Sequence, residues 1–440
     1  MTPEVKQETL PAATVEAAAW RPDTRVAFRF FFSYFLLYLL PYPVAGVPAT
    51  NWPANFYTDL WHRIVPWVAA NLLHFQQPIT IFTNKSGDTT YDYVAVTCLL
   101  VLAAIVTVIW SWLDRKRLDY SRLHSWLRLF LRFVLVTALI PYGANKLYTA
   151  QFPAPRLETL LETYGQASPM GLLWTSMGAS RLFSLFGGIA EVIGGVLLIV
   201  PRFTLLGALI SFAALTNVLV LNLGYDVTVK IYTFHLVLMC LFLIVPDAKR
   251  LADFFVFSRP APPPSETPLF ARKEFNQGAL VMQIVLGIAL TVVSLHQSYG
   301  FVERARVDVA PSEVYGVWAV DELVQDGQSR PPLITDTQRW QNFVFDHAKL
   351  VVVQKMNGEQ LIYGMQLDPL RKTLNLATED SRAWVGRFEF EDPRPDVLTL
   401  TGEMDGHQIE AKLRRVDLTG PGFLLMNRGF HWVNEFPLRR

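Results

Sequence analysis

Charge is scarce in this chain of 440 residues: Asp, Glu, Lys and Arg make up 18% of it, where a soluble domain carries about 25%. A chain this long with so few charges, and 51% apolar, turns much of its surface toward something other than water. The formal net charge of +1 lacks the basic footprint of a nucleic-acid binder, so no nucleic-acid partner is expected. Cysteine is nearly absent. Cys98 and Cys240 are too few for a disulfide scaffold, a four-cysteine zinc site or an iron–sulfur cluster, and neither belongs to a CxxC. His62, His74, His347, His407 and His431 fall outside HxH or HExxH spacing, so no metal is expected. P-loop, dinucleotide fingerprint and nucleophile elbow are all missing, which excludes the chemistries they serve and leaves no covalently bound cofactor. Residues 1–24 have no apolar core ahead of a small-residue cleavage site, so the first apolar run is expected to stay as an anchor.

What the chain does have is long apolar runs. About seven can cross a hydrocarbon core, which takes about 20 helical residues: 26–45, 92–113, 129–149, 181–200, 203–224, 230–246 and 277–297. Pro41 and Pro43 interrupt the end of the first. Basic residues cluster before the first run (Arg21, Arg25, Arg29), between the second and third (Arg115, Lys116, Arg117, Arg122, Arg128), at Arg202, and between the sixth and seventh (Lys249, Arg250, Arg259, Arg272, Lys273). All fall on one side if every run spans. The expected place is therefore the cell inner (cytoplasmic) membrane, with the N-terminus cytoplasmic, the C-terminal domain periplasmic, and the lipid bilayer as first partner.

The expected organisation is a polar cytoplasmic N-terminus over 1–25, two spans with an outer interfacial loop over 26–125, and a four-helix body over 126–251. A Pro-rich cytoplasmic linker over 252–276, a seventh span over 277–300 and an outer β domain over 301–440 complete it. Trp52, Trp61 and Trp67 mark 51–75 as a helix lying in the membrane interface. The polyproline stretch from Arg259 to Pro268 reads as a stiff spacer isolating the last span.

Beyond Glu303 the hydrophobic period becomes two. Alternating runs at 315–321, 340–346, 348–355, 359–367, 371–378, 383–390, 396–403 and 407–416 are separated by Asn357-Gly358, Asp368-Pro369 and Asp405-Gly406. Around eight antiparallel strands joined mostly by hairpins predict a small closed barrel. The fold class is thus a multi-span α-helical membrane protein with a C-terminal all-β barrel.

An ionisable group at membrane depth is costly and faces a partner or cavity. Glu191 lies about eleven residues into its run, ~16 Å deep at about 1.5 Å per residue. Gly188, Glu191 and Gly195 share one helix face, the face that approaches a neighbour most closely. The carboxyl either acts as packing glue across helices or handles protons and ligand. Lys146 either snorkels outward or turns in toward Glu191. With His235 these form the candidate catalytic set, and Asn145, Asn217, Asn222, Asp226 and Tyr232 the candidate ligand-binding set. All but Glu191 fall in the outer half of the membrane or its rim, which predicts a polar cavity narrowing to Glu191 and suited to a quinone head group, a small polar substrate or a proton path.

Three stretches carry a resemblance: Arg128-Leu-Phe-Leu-Arg132 with Tyr142-Gly-Ala-Asn-Lys146, Gly187-Gly-Ile-Ala-Glu191-Val-Ile-Gly-Gly195, and Pro246-Asp-Ala-Lys-Arg-Leu251. The segment from Leu127 to Leu251 resembles the DoxX family of membrane proteins. That resemblance implies a four-helix bundle with Lys146 and Glu191 at the matched polar positions. Some relatives are associated with quinone-linked thiosulfate or thiol oxidation, and others in the superfamily act as receptors or chaperones. The C-terminal domain is similar to lipocalin-like barrels through Tyr315-Gly316-Val317-Trp318 and Asn427-Arg428-Gly-Phe-His431-Trp432. That likeness implies Trp318 plugging one barrel end with Arg428 stacked on it. Two functions follow as expectations. One is a quinone-linked oxidoreductase subunit acting on a sulfur or thiol compound at the outer face, with a partner redox protein. The other is a non-catalytic receptor or scaffold that holds a small lipophilic ligand or partner protein through the β domain.

Overall fold

Proline opens the first helix: α1 runs Pro22–Leu39, with Pro in its first turn and Asp23 beside it, where an acid complements the helix dipole. The structure is a computed structural model that describes residues 19–40, 51–81, 86–263, 267–306, 314–378, 384–429 and 431–432. Helices α2 (Asn51–Asn71), α3 (Thr90–Leu113), α4 (Ser121–Leu147), α5 (Leu157–Leu160) and α6 (Pro169–Ala179) follow. Then come α7 (Arg181–Ile199), α8 (Thr204–Gly224), α9 (Lys230–Ile244), α10 (Ala248–Phe255) and α11 (Lys273–Arg306). A capping box starts α3, with Thr89 and Asp92 exchanging side-chain and backbone bonds.

Among the described residues six helical segments are long and apolar enough to cross a membrane: Thr90–Leu113, Ser121–Leu147, Arg181–Ile199, Pro201–Gly224, Lys230–Phe255 and Lys273–Arg304. The remaining expected run, 26–45, extends past the described residues. Its described part is α1, where Asp23, Arg25 and Arg29 interrupt the apolar run, and Pro41 and Pro43 lie outside the described residues. Phe28, Arg29, Tyr34, Phe35 and Leu39 of α1 are buried by protein.

Two compact units make up the chain, Met1–Ala138 with Gly194–Ile288 and Leu139–Ile193 with Ala289–Arg440. In the first, Arg29 is a buried hub. Its guanidinium donates to Tyr120 Oη at 2.8 and 3.0 Å, Ser111 Oγ at 2.9 Å and the Asp114 carbonyl at 3.1 Å. Arg132 of α4 donates to the Leu198 and Ile199 carbonyls at 2.7 and 2.6 Å, satisfying the orphan C-terminal carbonyls of α7. Two carbonyls of the Pro-rich segment accept side-chain bonds within this unit. Ser125 Oγ donates to the Thr267 carbonyl at 2.8 Å, and Arg250 Nε to that of Pro262 at 2.9 Å.

In the second unit the C-terminal strands are β1 (Gly316–Gln325), β2 (Gln328–Ser329), β3 (Trp340–His347), β4 (Leu350–Lys355) and β5 (Gln360–Asp368). They continue as β6 (Thr373–Thr378), β7 (Trp384–Arg394), β8 (Val397–Met404) and β9 (His407–Arg415), before the short helix α12 (Leu424–Asn427). Every pairing is antiparallel, and β1 pairs with both β3 and β9, which closes eight strands into a barrel with β2 as an appended hairpin arm. Alternation is clear on β9, where Ile409, Ala411 and Leu413 point in. Phe343, Val351, Val353, Leu376, Leu400 and Leu413, all at 0% exposure, pack the interior.

Part of the barrel exterior is also covered. Leu157 of α5 packs on Val317, Val344 and Val352. Its backbone N–H donates to Asp346 Oδ2 at 3.3 Å, while Gln354 and Gln360 donate to the Leu161 and Glu158 carbonyls at 3.3 and 2.9 Å. The loop between α4 and α6 is therefore seated on the outer face of β1, β3 and β4.

Candidate functional site

Within the second unit α4 and α7 cross at glycines. A Cβ on Gly143 would lie 2.7 Å from Val192 Cγ2 and 2.8 Å from the Gly188 carbonyl. One on Gly188 would lie 2.8 Å from the Gly143 carbonyl and 3.0 Å from Lys146 Cβ. Any larger residue would wedge the backbones apart. Lys146 follows Gly143, and Glu191 follows Gly188, by three residues each, so both charges project from the faces that meet. Lys146 Nζ sits 2.9 Å from Glu191 Oε1 and 2.7 Å from Oε2, with side chains only 8% and 4% exposed. Of the two orientations open to Lys146 the inward one is realised. An ammonium has three N–H donors, and two are engaged with the carboxyl. The Tyr142 ring lies 5.8 Å from Nζ. Asn145, on the next position of α4, accepts from Ser298 Oγ of α11 at 2.7 Å.

The remaining candidates belong to the first unit, where most find local partners. His235 is buried, its Nε2 2.5 Å from Tyr34 Oη and its Nδ1 2.7 Å from the Ile231 carbonyl. A carbonyl only accepts, so Nδ1 carries the proton and Nε2 accepts from the phenol. The ring stacks on Tyr38 at 3.8 Å and 9°. Asn222 donates to Thr233 Oγ1 at 2.9 Å, tying α8 to α9. Asp226, in a left-handed conformation at φ 53°, pairs with Lys230 at 2.7 Å. Tyr232 is half-buried, and Asn217 is exposed. Asn217 lies about 140° round α8 from Asn222, five residues on.

Sequence reasoning missed several residues that do structural work around these groups. Asp88 accepts from the Lys230 and Ile231 backbone N–H groups at 2.8 and 2.9 Å, capping α9 from 142 and 143 residues away. Tyr34, Tyr38 and Ser298 sit in runs that read only as apolar anchors. In the barrel the cation over Trp318 is Arg415, 5.6 Å from the ring. Arg428, the cation expected there, holds the C-cap position of α12 with its backbone N–H on the Leu424 carbonyl. Trp318 does lie in the core and donates through Nε1 to the Val314 carbonyl at 2.8 Å. At the docked loop, burial pushes the Glu158 carboxyl above its ordinary range, with the Asp346 charge adding to the effect. No group of His, Cys, Asp and Glu suited to a metal occurs among the described residues.

Apolar helices carrying a buried lysine–glutamate pair at a glycine crossing, followed by a closed antiparallel barrel, define the class of protein. No family model matches the chain, and no solved structure matches it. Over 130 residues, covering 29% of this chain and 79% of the relative, it is 31% identical to the uncharacterized protein YwoB of Bacillus subtilis (strain 168). The chain belongs to the YwoB family.

Proposed function

We propose that the chain is a multi-pass inner-membrane protein, DoxX-like in its helical body, that serves as a quinone-linked oxidoreductase subunit for a sulfur or thiol compound at the outer face. One observation carries this reading: a bidentate ion pair, Lys146 to Glu191, held in helices apolar enough to span a bilayer. Charges at that depth are expensive to keep and mark substrate or proton paths. The residues suit a quinone. Lys146 retains an N–H to donate to a carbonyl oxygen, and Glu191 can carry a proton. Oxidation of two thiols to a disulfide releases two electrons and two protons, and reduction of a quinone to quinol takes up both. In that exchange Lys146 orients the acceptor and Glu191 moves protons. Electrons arrive directly or through a partner redox protein, since the chain has no motif for another carrier.

The contact between the α5 loop and the barrel supports placing both on one side of the membrane, the periplasmic side by the charge of the opposite loops. The same contact favours a second reading, a receptor or scaffold with the barrel as a platform held by the α5 loop. Its packed interior then puts a lipid-like ligand or partner protein on the outer surface. The test is quinone absorbance in lipid nanodiscs supplied with a short-chain quinone and thiosulfate or a small thiol. Quinone loss coupled to sulfur oxidation supports the oxidoreductase, whereas no turnover with any sulfur compound overturns it and leaves the scaffold.

A further inference from the structure

In the first unit an aromatic and basic surface follows α9 and precedes α11. Phe254, Phe255, Val256 and Phe257, four consecutive large apolar side chains, are 62%, 73%, 70% and 57% exposed. The fold holds them there by design of the chain path. The N–H groups of Val256 and Phe257 both bond the Ala252 carbonyl at 2.9 and 3.0 Å, and Arg259 N bonds that of Asp253 at 2.8 Å. Ser258 takes a left-handed conformation at φ 50° to close this turn. A second segment repeats the chemistry. Phe270 packs edge-on to Trp126 at 5.4 Å, and Phe275 is 57% exposed.

Each segment pairs an arginine with its aromatic. The Arg259 guanidinium lies 5.5 Å from the Phe257 ring, and that of Arg272 lies 5.9 Å from Phe275. Lys249 and Lys273 are exposed beside them, so cations outnumber Asp253 and Glu274 on this surface. A row of bare phenylalanines is unfavourable in water, and a row of cations is unfavourable in hydrocarbon. Only the interfacial layer of a bilayer satisfies both, with rings at the acyl boundary and cations among phosphates. Guanidinium, planar and weakly hydrated, is the cation that binds phosphate while stacked on a ring.

We propose that residues 254–263 and 267–275 form a binding surface for anionic phospholipid headgroups, with Arg259 and Arg272 as the phosphate-binding residues and Phe254, Phe255 and Phe257 inserted beneath them. The proposal rests on the membrane-spanning reading and adds a specific lipid class to it.

Backbone hydrogen exchange of the full chain tests it in nanodiscs of phosphatidylcholine alone and of phosphatidylcholine with phosphatidylglycerol. Amides of 254–263 and 267–275 are expected to slow about fivefold for each cation engaged when the anionic lipid is present. R259Q/R272Q returns them to the phosphatidylcholine rate and R259K/R272K keeps part of the effect, while unchanged exchange in β8 and β9 reports an intact fold. Equal exchange in both discs overturns the proposal, as does inorganic phosphate in phosphatidylcholine discs reproducing the slowing. Protection of α3 and α7 in every disc checks the spanning reading separately, and its loss would overturn that reading whatever the loop does.

Discussion

Lys146 and Glu191 meet because Gly143 and Gly188 do. The ammonium reaches both carboxyl oxygens, at 2.9 and 2.7 Å, across a crossing that leaves no space for a Cβ on either glycine. Removing one partner leaves the other charge buried and unpaired. K146M alone is expected to cost about 3–5 kcal/mol, while the matched apolar double variant K146M/E191M returns close to the wild-type value. Denaturant unfolding in detergent checks this. A double variant no more stable than the single one would mean that the pair itself, rather than the avoidance of an orphan charge, supports the fold.

Replacing Gly188 by alanine forces its new methyl against the Gly143 carbonyl and Lys146 Cβ. The crossing must open, at a cost of about 1–3 kcal/mol, and the ion pair lengthens with it. Gly278 of α11 has nothing within 4 Å of a Cβ, so G278A is expected to be neutral or slightly stabilising. Melting of the two variants side by side separates close packing from helix propensity.

Asp88 caps α9 through space. D88A removes the acceptor for the Lys230 and Ile231 N–H groups and is expected to cost about 0.5–2 kcal/mol. D88N keeps one of the two acceptor oxygens and sets an NH2 donor in place of the other, so it recovers only part of that. Exchange of the Lys230 and Ile231 amides reads the cap directly, and rates unaffected by D88A would contradict it.

Docking of α5 on the barrel is expected to depend on pH through Glu158. Its carboxyl is raised in the docked state by burial and then by the Asp346 charge, so the docked state binds the proton more readily than the undocked one. Docking is therefore strongest below the ordinary carboxylate range and weakens as pH rises through the raised value. Exchange of amides 157–161, corrected for the intrinsic pH dependence, should speed up over that window in the wild type and stay flat in E158Q. A flat wild-type profile would rule the linkage out.

Legibility from sequence followed the range of the interactions. The eight expected barrel runs lie close to β1 and β3–β9 because a period of two and turns such as Asp405-Gly406 are local signals. The β2 arm went unseen, although Asp326-Gly327 at φ 51° and 79° is the same kind of turn, because its second strand spans only Gln328–Ser329. Glycine spacing places Glu191 on a close-packed face, whereas Lys146 stays open between snorkelling outward and turning in, a choice that only the helix crossing makes. Tyr34 with His235 could not be read, since 201 residues separate them and a tyrosine in an apolar run looks like any other anchor residue. Arg415 was passed over for Arg428 because its position depends on closure: the β1–β9 register sets Trp318 opposite Arg415, and only the closed barrel reveals that pairing.

The central claim, that the buried pair works as well as packs, is tested most directly by quinone reduction by the wild type, E191Q and K146M/E191M in the same nanodiscs, each shown to be folded by its barrel exchange pattern. The expected result is turnover in the wild type, a fall of about 100-fold or more in E191Q, and no recovery in the double variant despite its restored stability. Wild-type turnover in folded E191Q or in the folded double variant would contradict the account.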